Sequence, residues 1–137
     1  MIEFFTLLFF SGSLLLTPKP IDIGKEWVNL IPKKPIEAVN GGASLELEVT
    51  KAVGNADDVA KLDKMLPAGT IEAELIPEKG LPFILRNSSA YVFSDNKVSV
   101  KMMANSAVPT KIKFNRVRVR SSVSIKSVSV TWINSSL

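Results

Sequence analysis

Residues 110–133 read TKIKFNRVRVRSSVSIKSVSVTWI, and this stretch determines the fold class. Apolar and polar side chains alternate along it, which is typical of β-strands that bury one face. The alternation changes parity near Asn115–Arg116 and again near Lys126–Ser127. Each change predicts a β-bulge, because one extra residue returns the apolar side chains to the buried face. We therefore expect two long, strongly twisted strands here.

The same alternation recurs through the rest of the chain. It predicts strands at residues 27–31, 43–50, 70–76, 83–85, 91–93 and 97–103. One helix is expected over residues 55–66, which Asn55 can cap and Pro67 ends. Together these elements predict an all-β, two-sheet antiparallel sandwich, immunoglobulin-like or jelly-roll, of about 7–8 strands with one short helix near 55–66.

The chain has 137 residues, the size of one domain. Its composition divides it into three parts. Residues 1–18 form a hydrophobic N-terminal segment, residues 19–42 a Pro- and Gly-rich linker with one short strand, and residues 43–137 the β-sandwich domain.

The N-terminal segment is strongly apolar and ends at Pro18. As a helix of about 14 residues it would rise about 21 Å, short of the roughly 30 Å hydrocarbon core of a bilayer. Three interpretations stay open: an atypical export signal or uncleaved anchor, a segment packed into a partner subunit or its own domain, and a helix on a membrane surface. The protein is thus expected to be membrane-associated, exported or part of a virion or cell-surface assembly. The candidate anchor or assembly residues are Phe4, Phe5, Leu7, Leu8, Phe9, Phe10, Leu14, Leu15 and Leu16.

Composition excludes several classes of enzyme. The chain has no cysteine and no histidine, so it cannot hold a Ser–His–Asp triad, a thiolate nucleophile or a zinc site built from these residues. Carboxylate pairs remain at Glu46 and Glu48 and at Glu72 and Glu74, but evenly spaced acids are the ordinary pattern of a solvated strand face. We therefore predict a non-catalytic protein without a metal or cofactor.

Charge is distributed very unevenly. Residues 1–95 carry all 13 acidic side chains and 9 basic ones, whereas residues 96–137 carry 8 basic side chains and no acid. Three interpretations are open: pairing with the acidic strands within the sheet, a head-to-tail contact between subunits, and binding of an anionic ligand. The candidate partner- or anion-binding residues are Lys111, Lys113, Arg116, Arg118, Arg120 and Lys126.

Aromatic side chains favour a core role over a stacking role. Phe114 and Trp132 occupy apolar positions of the alternation, so nucleic acid, which needs exposed stacking platforms, is not favoured. We expect a structural or interaction module, tethered by its apolar N-terminus to a membrane or larger assembly. It would contact a protein partner or a second copy of itself through a basic sheet face. The alternative is a binding module for an anionic or carbohydrate ligand: a polysaccharide, a lipid headgroup or nucleic acid.

Overall fold

The computed structural model of the protein describes residues 13–49, 64–94, 97–104 and 106–134, except for the side chains of residues 89–94, 97 and 98. The elements in these residues are all strands. They are β1 (Ser13–Leu15), β2 (Ile21–Ile23), β3 (Val28–Leu30), β4 (Ile36–Glu37), β5 (Ala43–Val49), β6 (Ile71–Pro77), β7 (Phe83–Ser94), β8 (Lys97–Met103), β9 (Lys113–Ser121) and β10 (Ile125–Asn134).

All ten strands belong to one sheet, and every strand pairing in it is antiparallel. Six long strands form its body, in the order β10-β5-β8-β7-β6-β9. The four short N-terminal strands line the two outer edges of this body. β1 and β2 pair with β10, while β3 and β4 pair with β9.

The sheet curls so that its two outermost long strands approach each other. β2 lies on the edge of β10 and β3 on the edge of β9, yet only residues 24–27 separate them. The amide of Ser121 in β9 donates a 2.7 Å hydrogen bond to the carbonyl of Gly24 within this link. The N-terminal strands therefore bridge the gap between β9 and β10, and the concave face of the curl becomes the core.

The all-β class is confirmed, but the predicted two-sheet sandwich, immunoglobulin-like or jelly-roll, is not. A single curled sheet of ten strands takes its place. The physical reason is that residues 19–42, predicted as a linker with one strand, carry three short strands that pair with β9 and β10. Alternation identifies which face of a strand is buried, but not which strand lies beside it.

Both predicted bulges are present. The pairing of β6 with β9 shifts register between Ile76 and Pro77, opposite Asn115. The pairing of β10 with β2 shifts between Ile125 and Val128, where Ser127 adopts a positive φ of 60°. These shifts keep Phe114, Val117 and Val119 of β9 on the buried face together. Phe114 and Trp132 are core residues, as the sequence predicts.

The helix predicted over residues 55–66 lies for the most part outside the described residues. Within them, helical backbone occurs only at Lys64 and Met65, directly before the buried Leu66. In the part of the chain that is described, no helix is long and apolar enough to cross a membrane.

Candidate functional site

The convex face of β9 carries arginines that pair with acids on the neighbouring strand. Arg118 lies opposite Glu74 and Arg120 opposite Glu72 in the β6–β9 register. The Arg118 guanidinium donates to Glu74 Oε1 from Nε and Nη2, both at 2.7 Å. Arg120 makes the same two-nitrogen contact with Glu72 Oε1, at 3.0 and 2.9 Å. Both pairs are partly buried, so the arginines are held in fixed positions.

A tryptophan completes this cluster. Trp27 lies just before β3, and the guanidinium carbons of Arg118 and Arg120 lie 4.3 and 4.2 Å from its ring centroid. A cation over the face of an indole ring is attracted by the ring's negative quadrupole. The two guanidiniums are thus engaged both by carboxylates and by the ring, which leaves them little capacity to bind an external anion.

The structure therefore divides the basic residues predicted as one site. Arg118 and Arg120 pair with acidic side chains within the sheet, as one of the three interpretations of the charge pattern predicts. Arg116 is exposed on the same face, and no described residue forms an ion pair with it. Lys126 lies beside β2 at the other end of the sheet, away from Lys111 and Lys113.

A second basic group gathers where β9 begins, and we call it the basic end: Lys33, Lys34, Lys79, Lys111 and Lys113. Pairing of β4 with the start of β9 brings in the loop that holds Lys33 and Lys34. Pairing of the end of β6 with Phe114 brings in the following turn, which holds Lys79. Lys79, Lys111 and Lys113 line one cleft of about 440 Å³ together with Pro35 and Glu78. No ion pair joins any of these five lysines to another described residue.

An apolar groove adjoins this cleft. It has a volume of about 570 Å³, and Pro35 lines both features, so they form one continuous surface. Its other lining residues include Lys33 and Lys34 on the rim and Leu14, Ile36, Val39 and Trp132. The groove lies where β1 starts and β10 ends. Asn134 holds the region together, since its amide donates to the carbonyl of Glu37 and accepts from the amide of Val39, both at 3.0 Å.

The predicted anchor residues meet the sheet at this same end. Ser13, the first described residue, lines the groove. Leu14 and Leu15 are exposed, whereas Leu16 is buried in the core. The remaining members, from Phe4 to Phe10, lie outside the described residues.

The carboxylate pair of β5 lines a separate, smaller cleft. Glu46 and Glu48 border a space of about 190 Å³ with Ser99 and Thr131. Ligand pockets usually measure about 300–1,000 Å³. Among the described residues, no group of three or more acidic side chains could hold a metal ion.

Lys33, Lys34 and Lys79 are the members of the basic end that sequence reasoning missed. Each lies in a short turn beside proline, in Pro32–Pro35 and after Pro77. The only signal was local: lysines in proline-bounded turns are exposed. Their proximity to Lys111 depends on strand pairings between distant parts of the chain.

The chain matches no family model, and comparison with curated proteins and with solved structures found no match.

Proposed function

We propose that this protein is a non-catalytic interaction module, attached through its apolar N-terminal segment to a membrane or a larger assembly. The basic end makes the contact with that partner. Arg118 and Arg120, in contrast, stabilise the sheet.

One observation carries this proposal. The chain enters the sheet at Ser13, beside the groove whose rim holds Lys33 and Lys34. A partner that binds the apolar stretch of sequence before Ser13 can therefore also reach the basic end. The basic end holds five lysines that form no ion pair with a described residue. These lysines and the apolar stretch of the sequence both favour a partner that offers negative charge beside an apolar environment.

The surroundings of the two described carboxylate pairs also support this proposal. Glu72 and Glu74 are occupied by arginines. The cleft beside Glu46 and Glu48 is small and lies on the outer face of the sheet.

The proposal is tested by fractionating cells that produce the full chain. We expect the protein in the membrane fraction or in a high-mass complex. The double variant Phe5→Asp/Phe9→Asp should move to the monomeric fraction, because charged side chains cannot enter an apolar environment. Lys33→Glu/Lys79→Glu should weaken the association, whereas Lys64→Glu/Lys126→Glu, with the same net charge change at the other end, should not. A full chain that is monomeric and outside both fractions would contradict the proposal.

A second candidate function is favoured by a polar cleft of about 330 Å³ at the opposite end. Lys25 lines it with the hydroxyl-bearing residues Thr70, Ser121 and Ser122, whereas Arg120 and Glu72, which also line it, are paired with each other. A lysine beside hydroxyl groups suits a small anionic or carbohydrate ligand. Titration with inorganic sulfate and with a sulfated disaccharide, comparing the protein with Lys25→Ala, tests this candidate. Binding that Lys25→Ala does not weaken would exclude it.

A further inference from the structure

We infer that the basic end is a binding surface for an anionic lipid bilayer, in which the lysines contact headgroup phosphates and exposed aliphatic side chains enter the interface. This inference rests on the proposed function and names the partner of the same surface.

The first support is that three turns meet at one end. The β3–β4 loop, the β6–β7 loop and the residues before β9 all lie beside the start of β9, as the pairings Ile36–Phe114 and Pro77–Phe114 require. Side chains from each of the three line the basic cleft. A set of turns at one end of a rigid sheet forms a surface that can approach a flat partner.

The second support is the charge of that end. The acidic residues that line the groove or the cleft with these five lysines are Glu37 and Glu78. At the opposite end, the described charges are Lys25, Lys64 and Lys126 against Asp22 and Glu26, together with the Arg120–Glu72 ion pair. A cluster of lysines is the feature that anionic leaflets attract, and the attraction is worth about a fivefold gain in partitioning per lysine.

The third support is the exposure of large aliphatic side chains beside the lysines. Leu81 is 89% exposed and Ile31 75% exposed, and each lies in a turn that also carries a lysine of the basic end. Ile112, between Lys111 and Lys113, is also exposed. Exposed apolar side chains interleaved with lysines are typical of surfaces that lie in a membrane interface.

These features favour a bilayer over nucleic acid or a protein partner. The exposed apolar side chains at the basic end are aliphatic, whereas nucleic-acid surfaces stack bases on exposed aromatic rings. A bilayer supplies both phosphates for the lysines and an apolar interior for the exposed aliphatic side chains. The two contributions reinforce each other, because stable attachment takes two weak signals.

The test is co-sedimentation of the full chain with phosphatidylcholine vesicles, with and without about one-third phosphatidylserine. Both vesicle types present the same apolar interior, so the ratio of the two partition coefficients isolates the basic end. We expect tighter binding to the anionic vesicles, weakening with added salt because the lysines are exposed. Lys79→Glu/Lys111→Glu should lower the anionic-vesicle partition coefficient about 25-fold or more. The matched control Lys64→Glu/Lys126→Glu should leave it nearly unchanged.

The aliphatic contribution needs its own pair of variants. Ile31→Ser/Leu81→Ser should weaken binding to both vesicle types, whereas Val123→Ser, at the opposite end, should not. Circular dichroism of each variant confirms that the sheet remains folded.

Equal binding to neutral and anionic vesicles would overturn the lipid inference, as would equal effects of the two charge-reversal variants. If Lys79→Glu/Lys111→Glu still releases the protein from its cellular complex in that case, the interaction module stands and its partner is a protein or nucleic acid. If it releases nothing, both proposals fail.

Discussion

Asn87 holds the entry to β6 in place from within the core. Its side chain is buried and makes three hydrogen bonds. Its carbonyl oxygen accepts from the amide of Ile71 at 2.9 Å, and its amide donates to the carbonyls of Leu66 and Pro67 at 3.1 and 3.3 Å. The triplet Asn87-Ser88-Ser89 has the form of a glycosylation sequon, but this amide nitrogen is already engaged inside the fold.

Replacement of Asn87 should be strongly destabilising. In Asn87→Leu the backbone groups of Leu66 and Ile71 lose their buried partner, and each orphaned group costs about 1–3 kcal/mol. The Pro67 carbonyl keeps its hydrogen bonds from Thr70. We expect a loss of about 3 kcal/mol or more in the free energy of unfolding, measured by urea denaturation. Asn115→Leu, at an exposed position of β9, is the control and should change stability by less than about 0.5 kcal/mol.

Trp132 presents the opposite situation. Its ring is buried, but Nε1 has no hydrogen-bond partner among the described residues. Among the described residues, the buried N–H is therefore desolvated without a hydrogen bond that would compensate for the lost contact with water. Trp132→Phe removes this cost while keeping an aromatic ring, so we expect a change in stability within about 1 kcal/mol in either direction. Trp132→Ala should lose about 3–5 kcal/mol, because a cavity remains. Similar losses in the two variants would show that the indole nitrogen is bonded after all.

At the level of elements, β6 and β9 are joined by charge as well as by backbone. Glu72 lies 2.9 Å from Arg120 and also 3.8 Å from Arg86 of β7, so one carboxylate links three adjacent strands. Trp27 extends the cluster to the β2–β3 link through its contacts with both arginines. Ion pairs and cation–π contacts on the outer face therefore connect β7, β6, β9 and the β2–β3 link.

A double-mutant cycle on Arg118 and Glu74 measures the contribution of this ion pair to the stability of the sheet. We expect a coupling free energy of about 0.5–1 kcal/mol, because the pair is partly exposed and surface ion pairs are weak. Trp27→Ala should cost an additional 1–2 kcal/mol or so, since it removes two cation–π contacts and some buried ring surface. A coupling of zero, measured from urea unfolding of the four proteins in the cycle, would show that the arginines do not depend on their acids.

The sequence predicts the long strands well and the short ones poorly. In β9 and β10, nine and ten residues give enough alternation to locate even the bulges. β2 and β4 have three and two residues, too few for any period to be detected. Both lie in residues 19–42, and the proline content of that range predicts a linker. These residues form strands because they pair with the open edges of β9 and β10, which lie more than seventy positions away in the chain.

The candidate site shows the same limit. The run of basic residues in the sequence predicts Lys111 and Lys113, but it also includes Arg118 and Arg120, which the structure pairs with acids. Periodicity placed Glu72 and Glu74 on the outer face but did not place β6 beside β9. Strand order decides which cations remain without an ion pair, and no short stretch of the sequence specifies strand order.

For the molecule as a whole, the N-terminal strands close the sheet with very few residues. Side chains supply part of the pairing along β10. The hydroxyl of Thr17 accepts from the amide of Val130 at 3.0 Å, and Asp22 accepts from the amide of Ser127 at 3.1 Å. The body of the sheet, in contrast, consists of strands of seven or more residues.

Hydrogen exchange followed by mass spectrometry should reveal this difference. Peptides covering residues 13–38 should exchange before those covering β5 and β6, because short edge strands open at lower free energy than central ones. Thr17→Val should accelerate exchange around Val130 without affecting β6. Exchange of all strands at a single rate would show instead that the curl opens only as one unit.

The bridging role of residues 13–38 also has a consequence for how the protein is made. Thr17 is hydrogen-bonded to Val130, 113 positions later in the chain, so residues 13–38 leave the ribosome well before the strands with which they pair. Until β9 and β10 are complete, the early apolar strands have no edge to join and stay exposed to other chains. Such non-local contacts slow folding, and exposed strand edges favour aggregation. The proposed attachment of the apolar N-terminal segment to a membrane, if made during synthesis, would shield these strands until β9 and β10 are complete.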